Sequence, residues 1–505
     1  MNPTNDGKKT TEQADFEVSP PPIPSKEIKN TVTADVVVVG AGVSGLTAAA
    51  SASEAGAKVI VLEKGETYHF RGLHNAALAS KLQKKEGVVI DREKVIYAIM
   101  EFASYRNDQR LVKTWADSCD KVMDWLIDLA EASGVKVILD TTTKPWYFPN
   151  YPVIHVFLPK MQESLVQMLQ DHAGAHRTEF YWETPAVQLI RKVKDRVTGV
   201  IGRDKRGDYI QFNANKAVIL STGDYGNNYE MVKKYCPPAV HDIRIVYEPD
   251  VNTGDGHRMG LWVGAAIDAI PHLAMIWDFA IFSHTGLFNL GRQPWLYVNL
   301  NGERFMNEDL PYGYECNQIL QQPDNLAWSV WDAKWEQEWP KMRSQCCKNM
   351  GPPTRLWDNR LLEEALENGN VIKADSIDEL AKKMKVPTAV FKATVARYNE
   401  LARKGQDDDF GKHPDRLTTL EKPPFYTCQM QSRRMVILSG LKINTKMQVL
   451  DAERNVIPGL YASGNVSGGF FGDSYPTTVP GLTHSRAWTF GRLAGLNAAA
   501  EKTVT

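Results

Sequence analysis

The chain has 505 residues, enough for roughly three domain-sized units or for one large α/β domain carrying an insertion. Hydrophobic residues make up 43% and charged residues 24%, which excludes a disordered or fibrous protein and suits a globular enzyme. Lys plus Arg total 59 against 60 for Asp plus Glu, so the formal net charge of −1 gives no whole-protein attraction to nucleic acid or to an anionic membrane.

Residues 1–33 are polar and carry Pro20, Pro21, Pro22 and Pro24. They lack the apolar core of a signal peptide and any twin arginine, and read as a flexible arm or a strap along the surface. No apolar run reaches the roughly 18 residues a membrane span needs. The cysteines (Cys119, Cys236, Cys316, Cys346, Cys347 and Cys428) form no CxxC pair, so neither a zinc ribbon nor a dithiol motif is supported. Reduced thiols in a cytoplasmic protein are the expectation.

The first chemistry stands at residues 34–63. Ala34–Val39 is a β-branched run suited to a buried parallel strand. Gly40, Gly42 and Gly45 follow in GxGxxG spacing, with Val43 and Ser44 between the last two glycines, and lead into a helical stretch over 46–55. A second strand over 58–62 ends at Glu63, next to Lys64. Gly40 permits the tight turn, Gly42 lets backbone approach a pyrophosphate, and Gly45 allows close helix–strand packing. The helix N-terminus offers unpaired N–H groups to the phosphates, and Glu63 can accept from a ribose hydroxyl. The pattern predicts a dinucleotide site without separating flavin from nicotinamide.

Three later segments carry a family resemblance. Residues 459–466 read Gly-Leu-Tyr-Ala-Ser-Gly-Asn-Val, ahead of a glycine-rich stretch and a C-terminal helix containing Phe490, Gly491 and Arg492. Residues 218–227 read Val-Ile-Leu-Ser-Thr-Gly-Asp-Tyr-Gly-Asn, and 253–256 read Thr-Gly-Asp-Gly. Together they resemble the fumarate reductase/succinate dehydrogenase flavoprotein superfamily over about residues 34–500. The resemblance implies non-covalent FAD and an α/β fold. A discontinuous Rossmann-like domain of the glutathione-reductase type (34–256 and 431–505) would surround an inserted α+β capping and substrate domain (257–430). It implies cofactor contacts from Gly40, Gly42, Val43, Ser44, Gly45, Glu63, Lys64, Arg71, Gly72, Asn75, Ala186, Val187, Thr222, Gly223, Asp255, Gly464, Asn465, Gly481 and Leu482. His69 and His74 fall where relatives with covalent flavin attach it, but outside the Ser-His-Thr setting of those relatives. Asp224 is either a turn residue or a polar lid contact.

The dicarboxylate reductases of the superfamily share a Gly-Gly-x-His-Gly-x-x-Arg pattern that holds a substrate carboxylate. In Gly468–Tyr475 of this chain, Phe471 stands for the histidine and Tyr475 for the arginine. Their arginine proton donor lies five residues past the Asn of Arg-Phe-x-Asn-Glu, which here runs Arg304–Glu308 and puts Tyr312 at the donor position. Asn307-Glu308-Asp309-Leu310-Pro311-Tyr312 and Tyr475-Pro476 instead resemble the 3-ketosteroid dehydrogenases and flavin-dependent enone reductases. That resemblance implies Tyr312, Tyr475 and a glycine N–H as the catalytic groups. Counting back from Thr489-Phe490-Gly491 places the glycine at Gly481, and counting forward from Tyr475 lands on Val479.

Hydrogen exchange across a C=C beside a ketone needs hydride exchange with flavin N5, a proton for the other carbon and donors for the ketone oxygen. A phenol, with an ordinary pKa near ~10, can carry that proton. The expected substrate is a bulky apolar ketone of the 3-oxosteroid or 3-oxo bile acid kind, acted on in the reductive direction by family analogy. A reductase of a cinnamate- or urocanate-like acid and an electron-transfer subunit are the other readings. A single dinucleotide fingerprint leaves a separate protein as candidate electron donor or acceptor. Tyr105, Trp146 and Tyr147 are read as ordinary packing that could line the substrate end. The tryptophans of the middle segment (Trp277, Trp295, Trp328, Trp331, Trp335, Trp339 and Trp357) are read as core or lid packing, and Lys404–Lys412 as a solvated loop. His257 and His484 have no companions at metal-ligand spacing, so no metal is proposed. The C-terminal helix should start near Gly481–Thr483 and run to about Ala500, its N-terminal dipole favouring reduced flavin by ~1 kcal/mol.

Overall fold

Strand β1 (Ile28–Val39) ends in four consecutive valines, all buried. Those valines pair in parallel with β2 (Val59–Leu62) on one side and with the end of β9 (Tyr209–Leu220) on the other. β-Branched side chains on both faces suit a strand covered from both sides. The sheet extends in the order β6 (Thr178–Tyr181), β2, β1, β9, β16 (Val456–Ala462), β15 (Gln448–Leu450). All but the edge strand β15 run parallel, and β7 (Ala186–Arg191) and β8 (Val197–Arg203) fold antiparallel off β9. This computed structural model describes residues 13–140, 150–192, 195–245, 250–280, 290–342 and 359–503. Trp146, Tyr147, Cys346, Cys347 and Trp357 lie outside the described residues.

β1 begins at Ile28 rather than Ala34. Ile28–Ala34 pairs with Tyr209–Ala214 as a ribbon whose side chains are largely exposed. Backbone pairing with a neighbour, which no hydrophobic pattern announces, makes this part a strand. Ahead of it the chain lies as a strap: Phe16 meets Tyr235 edge-on at 5.6 Å, Glu17 accepts from the Tyr235 hydroxyl at 2.5 Å, and the Trp262 indole donates to the Phe16 carbonyl at 2.9 Å.

Helix α1 (Val43–Glu54) follows the glycine turn and packs along the last helix, here α4 (Leu482–Ala499). A side chain on Gly491 would meet the Ser44 carbonyl oxygen at 2.5 Å, and one on Gly495 would run into the Ala48 carbonyl. Backbone therefore lies on backbone, and the N-termini of the two helices share one end of the parallel sheet.

A second, antiparallel sheet runs β10 (Ala274–Ala280), β14 (Phe425–Ile437), β12 (Leu326–Asp332), β11 (Leu296–Val298), with β13 (Ile372–Ala374) also on β14. One cluster around it holds Trp328 and Phe391, another Trp295 and Trp331. A small third sheet joins β3 (Asn75–Ala76), β5 (Ile154–Leu158) and β4 (Lys136–Asp140). Helix α2 (Asp255–Trp262) follows the Thr253–Asp255 motif, and α3 (Tyr312–Ile319) follows the Asn307–Pro311 motif. Among the described residues no helix is long and apolar enough to cross a membrane.

A buried ion cluster anchors the segment leading into α3. Arg304 donates to both Glu308 oxygens at 2.9 and 3.0 Å and to both Asp407 oxygens at 2.9 and 2.7 Å. Lys412 lies 3.1 Å from Glu308 and donates to the Tyr398 hydroxyl at 2.8 Å. The reading of Lys404–Lys412 as a solvated loop is corrected here: Asp407 and Lys412 are buried, because their charges find opposite partners inside. Burial pushes the Asp407 and Glu308 carboxyls up, but Arg304 overrides it for both and brings Asp407 to about 2, Lys412 adding to the effect at Glu308. Depressed carboxyls stabilise the fold above their ordinary range near ~4, and that contribution is lost as pH falls through the folded values. Replacing Arg304 with Met should therefore lower the unfolding free energy by about 3 kcal/mol at neutral pH. In melts run from pH 7 to 3, the gap to the parent protein should narrow below about pH 4. A gap that widens on acidification would show that the cluster does not titrate in this way.

Candidate active site

Gly40, at φ +104, turns the chain from β1 into α1, and a side chain there would meet the Ser221 carbonyl oxygen at 2.5 Å. Only glycine satisfies both conditions. The Glu63 carboxylate accepts from the N–H of Ala41 at 2.7 Å and of Gly65 at 2.9 Å, so the acid at the end of β2 is locked against the turn. Gly42 is the N-cap of α1, and a side chain on it would meet nothing nearer than the His69 carbonyl at 3.8 Å. Open ground over a helix N-terminus is what a pyrophosphate requires. The Ser44, Ser463 and Ser221 hydroxyls hydrogen-bond in a chain (2.8 and 3.0 Å), tying that turn to the ends of β16 and β9. Gly464, at φ +73, sits over Ser44. The residues present fit a dinucleotide.

Other expected cofactor residues gather around this turn. Lys64 donates to the Thr253 hydroxyl at 2.7 Å and pairs with Asp255 at 3.1 Å. Thr222 accepts from the Gly256 N–H at 3.2 Å, beside Gly223. The N–H groups of Glu183 and Thr184 donate to the Gly65 and Glu63 carbonyls, which ties the residues just ahead of Ala186 and Val187 to the end of β2. Asp224 is a buried turn residue: it accepts from the Gly226 N–H at 2.7 Å and from Asn252 at 2.5 Å, and faces Arg71 at 3.6 Å. Burial raises its carboxyl pKa, and Arg71 opposes the rise. The Asn75 side chain turns inward, donating to Gln162 at 3.0 Å and accepting from the Trp488 indole at 3.2 Å. Its backbone is what faces the site.

At the start of α4 three chain segments meet. Gly481, at φ +81, is the N-cap, and a side chain on it would lie 2.6–2.8 Å from the His74 carbonyl group and the Asn75 nitrogen. His484 donates through Nδ1 to the His74 carbonyl at 2.8 Å and covers Gly72. Burial lowers its pKa to about 4, so the ring is neutral at physiological pH. Leu482 is fully buried at the first helical position. The Val479 N–H donates to the Pro476 carbonyl at 3.0 Å, whereas the Gly481 N–H donates to no protein acceptor among the described residues.

The two tyrosines from distant motifs come together here. Tyr312, 1% exposed, opens α3 with its ring stacked on Trp277 (centroids 5.1 Å, 27°) and on Tyr475 (6.3 Å, 28°). Tyr475 leans on Phe471 at 5.7 Å, and its hydroxyl oxygen accepts from the Thr483 N–H at 3.4 Å and the Thr483 hydroxyl at 3.2 Å. Trp277, read from sequence only as packing, is a wall of this site. Arg486 and Arg292 stand at the ends of the aromatic stack, and no motif spacing announces either. Tyr105 is 58% exposed beside the Phe102–Tyr314 ring pair. His257 lies edge-on to Tyr225 at 5.1 Å, and among the described residues no three His, Cys, Asp or Glu side chains gather to hold a metal.

A family model described as FAD binding domain matches residues 35–478. The chain is 30% identical over 488 residues to the vinyl phenol reductase of Lactiplantibacillus plantarum, covering 92% of this chain and 96% of that protein. It is 30% identical over 342 residues to the 3-oxosteroid 1-dehydrogenase of Mycolicibacterium smegmatis, covering 60% of this chain and 56% of that one. The open conformation of a flavocytochrome c3 fumarate reductase superposes with a TM-score of 0.75 at 25% identity, over 94% of this chain and 78% of the other. With the glycine turn, Glu63 and two helix N-termini on one site, these matches make the chain a member of the FAD-binding flavoprotein family, an FAD-dependent oxidoreductase acting on C=C bonds.

Proposed function

We propose that the substrate is a bulky, mostly apolar ketone of the 3-oxosteroid or 3-oxo bile acid kind, reduced at the C=C bond conjugated to its carbonyl. The observation that carries this reading is the Tyr312–Tyr475 ring pair, set among aromatic walls where a dicarboxylate reductase would place cations. The flavin, bound without a covalent link, supplies the hydride. Tyr312 delivers the proton to the other carbon. Tyr475 donates to the carbonyl oxygen, and accepting two hydrogen bonds from Thr483 polarises its own O–H for that role. The Gly481 N–H at the positive end of α4 is the second donor; Val479 is the weaker candidate, because its N–H is engaged in a turn.

In this reading residues 34–256 and 431–505 form the Rossmann-like FAD domain with the expected cofactor contacts, and 257–430 cap it. The electron donor is a separate protein, and the compartment is the cytoplasm. An unsaturated acid is disfavoured because Arg292 pairs with Asp278 while Arg486 donates to Ser467 and Asn465, leaving neither turned to a carboxylate. A vinylic phenol is the second reading, favoured by the full-length similarity to a vinyl phenol reductase. Its hydroxyl releases electrons into the alkene where an enone carbonyl withdraws them, so in that reading the terminal carbon takes the proton first, the phenol gives up its own, and hydride adds at the benzylic carbon.

Replacing Tyr312 with Phe keeps the ring stack and should cut turnover at least ~100-fold while flavin stays bound. The assay is anaerobic reoxidation of photoreduced enzyme by a 3-oxo-4-ene steroid and, in parallel, by 4-vinylphenol. Undiminished reoxidation in the variant would remove Tyr312 from the mechanism, and a parent enzyme that stays bleached with the steroid would remove the ketone. Gly481→Ala forces a side chain onto backbone at positive φ and should cost about 2 kcal/mol of stability together with flavin affinity. A parental melt and parental flavin binding would contradict that geometry. On acid precipitation the yellow colour should leave with the supernatant; colour retained in the pellet would establish a covalent link.

A further inference from the structure

Tyr312 and Tyr475 are the middle of a longer column. Arg292 lies over Trp277 at 4.4 Å, Trp277 stacks on Tyr312, Tyr312 on Tyr475 and Tyr475 against Phe471, and Arg486 lies over Phe471 at 5.1 Å. A fully buried guanidinium thus stands at each end. The two ends differ in charge. Arg292 is held by Asp278 through two bonds of 3.0 and 3.2 Å, with buried Glu315 on neighbouring α3. Arg486 donates only to neutral oxygens, the Ser467 carbonyl at 3.0 Å and the Asn465 side chain at 2.7 Å, and its Nε meets no acceptor. No carboxylate lies within ion-pair distance of it among the described residues; the Asp268 carboxylate is bonded to the Gly440 and Gly469 N–H groups and acts on Arg486 only from farther off. Burial lowers the Arg486 pKa to about 10, which leaves it charged at neutral pH.

A buried, unpaired cation is costly unless negative charge develops near it. Arg486 lies one helical turn beyond Thr483, the residue that donates to the Tyr475 oxygen. Three other titratable groups stand around Tyr475 among the described residues, and none of them pairs with Arg486. His484 on α4 is neutral, Tyr312 on α3 is a phenol, and Asp473 on Tyr475's own segment is paired with Arg106 at 2.5 Å. Resting on the reading that Tyr475 binds the substrate oxygen, we infer that Arg486 is a positioning residue whose charge, contacted by no carboxylate, makes Tyr475 the stronger hydrogen-bond donor of the pair, leaving Tyr312 as the neutral proton carrier. Negative charge passed from the substrate oxygen toward the Tyr475 hydroxyl is then met by a fixed cation that touches neither substrate nor flavin.

The test follows Tyr475 itself. Full-length holoenzyme labelled with 3-fluorotyrosine is titrated by fluorine NMR, the Tyr475 resonance being identified by its loss in Tyr475→Phe. Arg486→Met should weaken the acid dissociation of Tyr475 about tenfold, a shift of about one pH unit upward, whereas Arg486→Lys should stay near the parent. Asn465→Asp keeps the arginine but gives it a carboxylate, and should shift Tyr475 in the same direction as Arg486→Met. If Arg486→Met does not fold, Asn465→Asp decides. An unchanged Tyr475 titration in Arg486→Met or Asn465→Asp, or an Arg486→Lys shift as large as that of Met, overturns the inference. The expected shifts in an enzyme that turns over no enone would leave this role standing and remove the substrate reading instead.

Discussion

Backbone contact between α1 and α4 is the constraint on which the site depends. Any side chain at Gly491 or Gly495 would separate the two helices, since carbonyl groups of α1 occupy the space. Their contact fixes the Gly40–Ser44 turn and the Gly481–Arg486 turn on one side of the parallel sheet, though some 440 residues separate them in sequence. Two helix N-termini then point unpaired N–H groups toward the same volume. The serine chain from Ser44 through Ser463 to Ser221 extends that registration to the strand ends, so turn, β9 and β16 move as one body.

The second sheet contributes position rather than phosphate chemistry. Tyr312 is the first residue of α3, and the motif before it is held by Glu308 between Arg304 and Lys412. A buried carboxylate with two cations is a poor source of net stability but a strong determinant of geometry, because every alternative placement leaves a charge unpaired. Trp277, on β10, then sets the plane of the Tyr312 ring. Tyr312 is thus fixed from one side by ion pairs and from the other by stacking.

Much of this was legible in the sequence where local pattern and function coincide. The glycine turn, Glu63 and the C-terminal helix, expected to about Ala500 and found over Leu482–Ala499, follow rules of short range. Tyr312 and Tyr475 were found by counting within motifs, and the fold stacks them. What escaped depends on contacts between distant segments. The ribbon over Ile28–Ala34 is polar and forms because β9 lies beside it. Asp407 and Lys412 sit in a charged run that reads as solvent-facing until Arg304 and Glu308 are seen to neutralise it. The partners of the Asn75 amide, Gln162 and Trp488, likewise come from distant segments. Arg486 had no signal at all, since an arginine on a helix ordinarily reads as a surface position.

The neutral character of the rings around Tyr312 and Tyr475 follows from the same arrangement. A carboxylate brought against Tyr312 and Tyr475 would lose its hydration, a penalty of several kcal/mol, unless a cation replaced it. Arg292 cannot turn to it without abandoning Asp278, and Arg486 lies behind Phe471, held by the Ser467 carbonyl and the Asn465 side chain. A ketone or phenol oxygen is less demanding: it needs hydrogen-bond donors and gains from a positive field only as charge develops during reaction. Substituting phenols for cations therefore does more than remove affinity for acids. On the proposed reading it moves positive charge from the substrate-contacting layer to the layer behind it, where it would act on the transition state more than on the bound substrate.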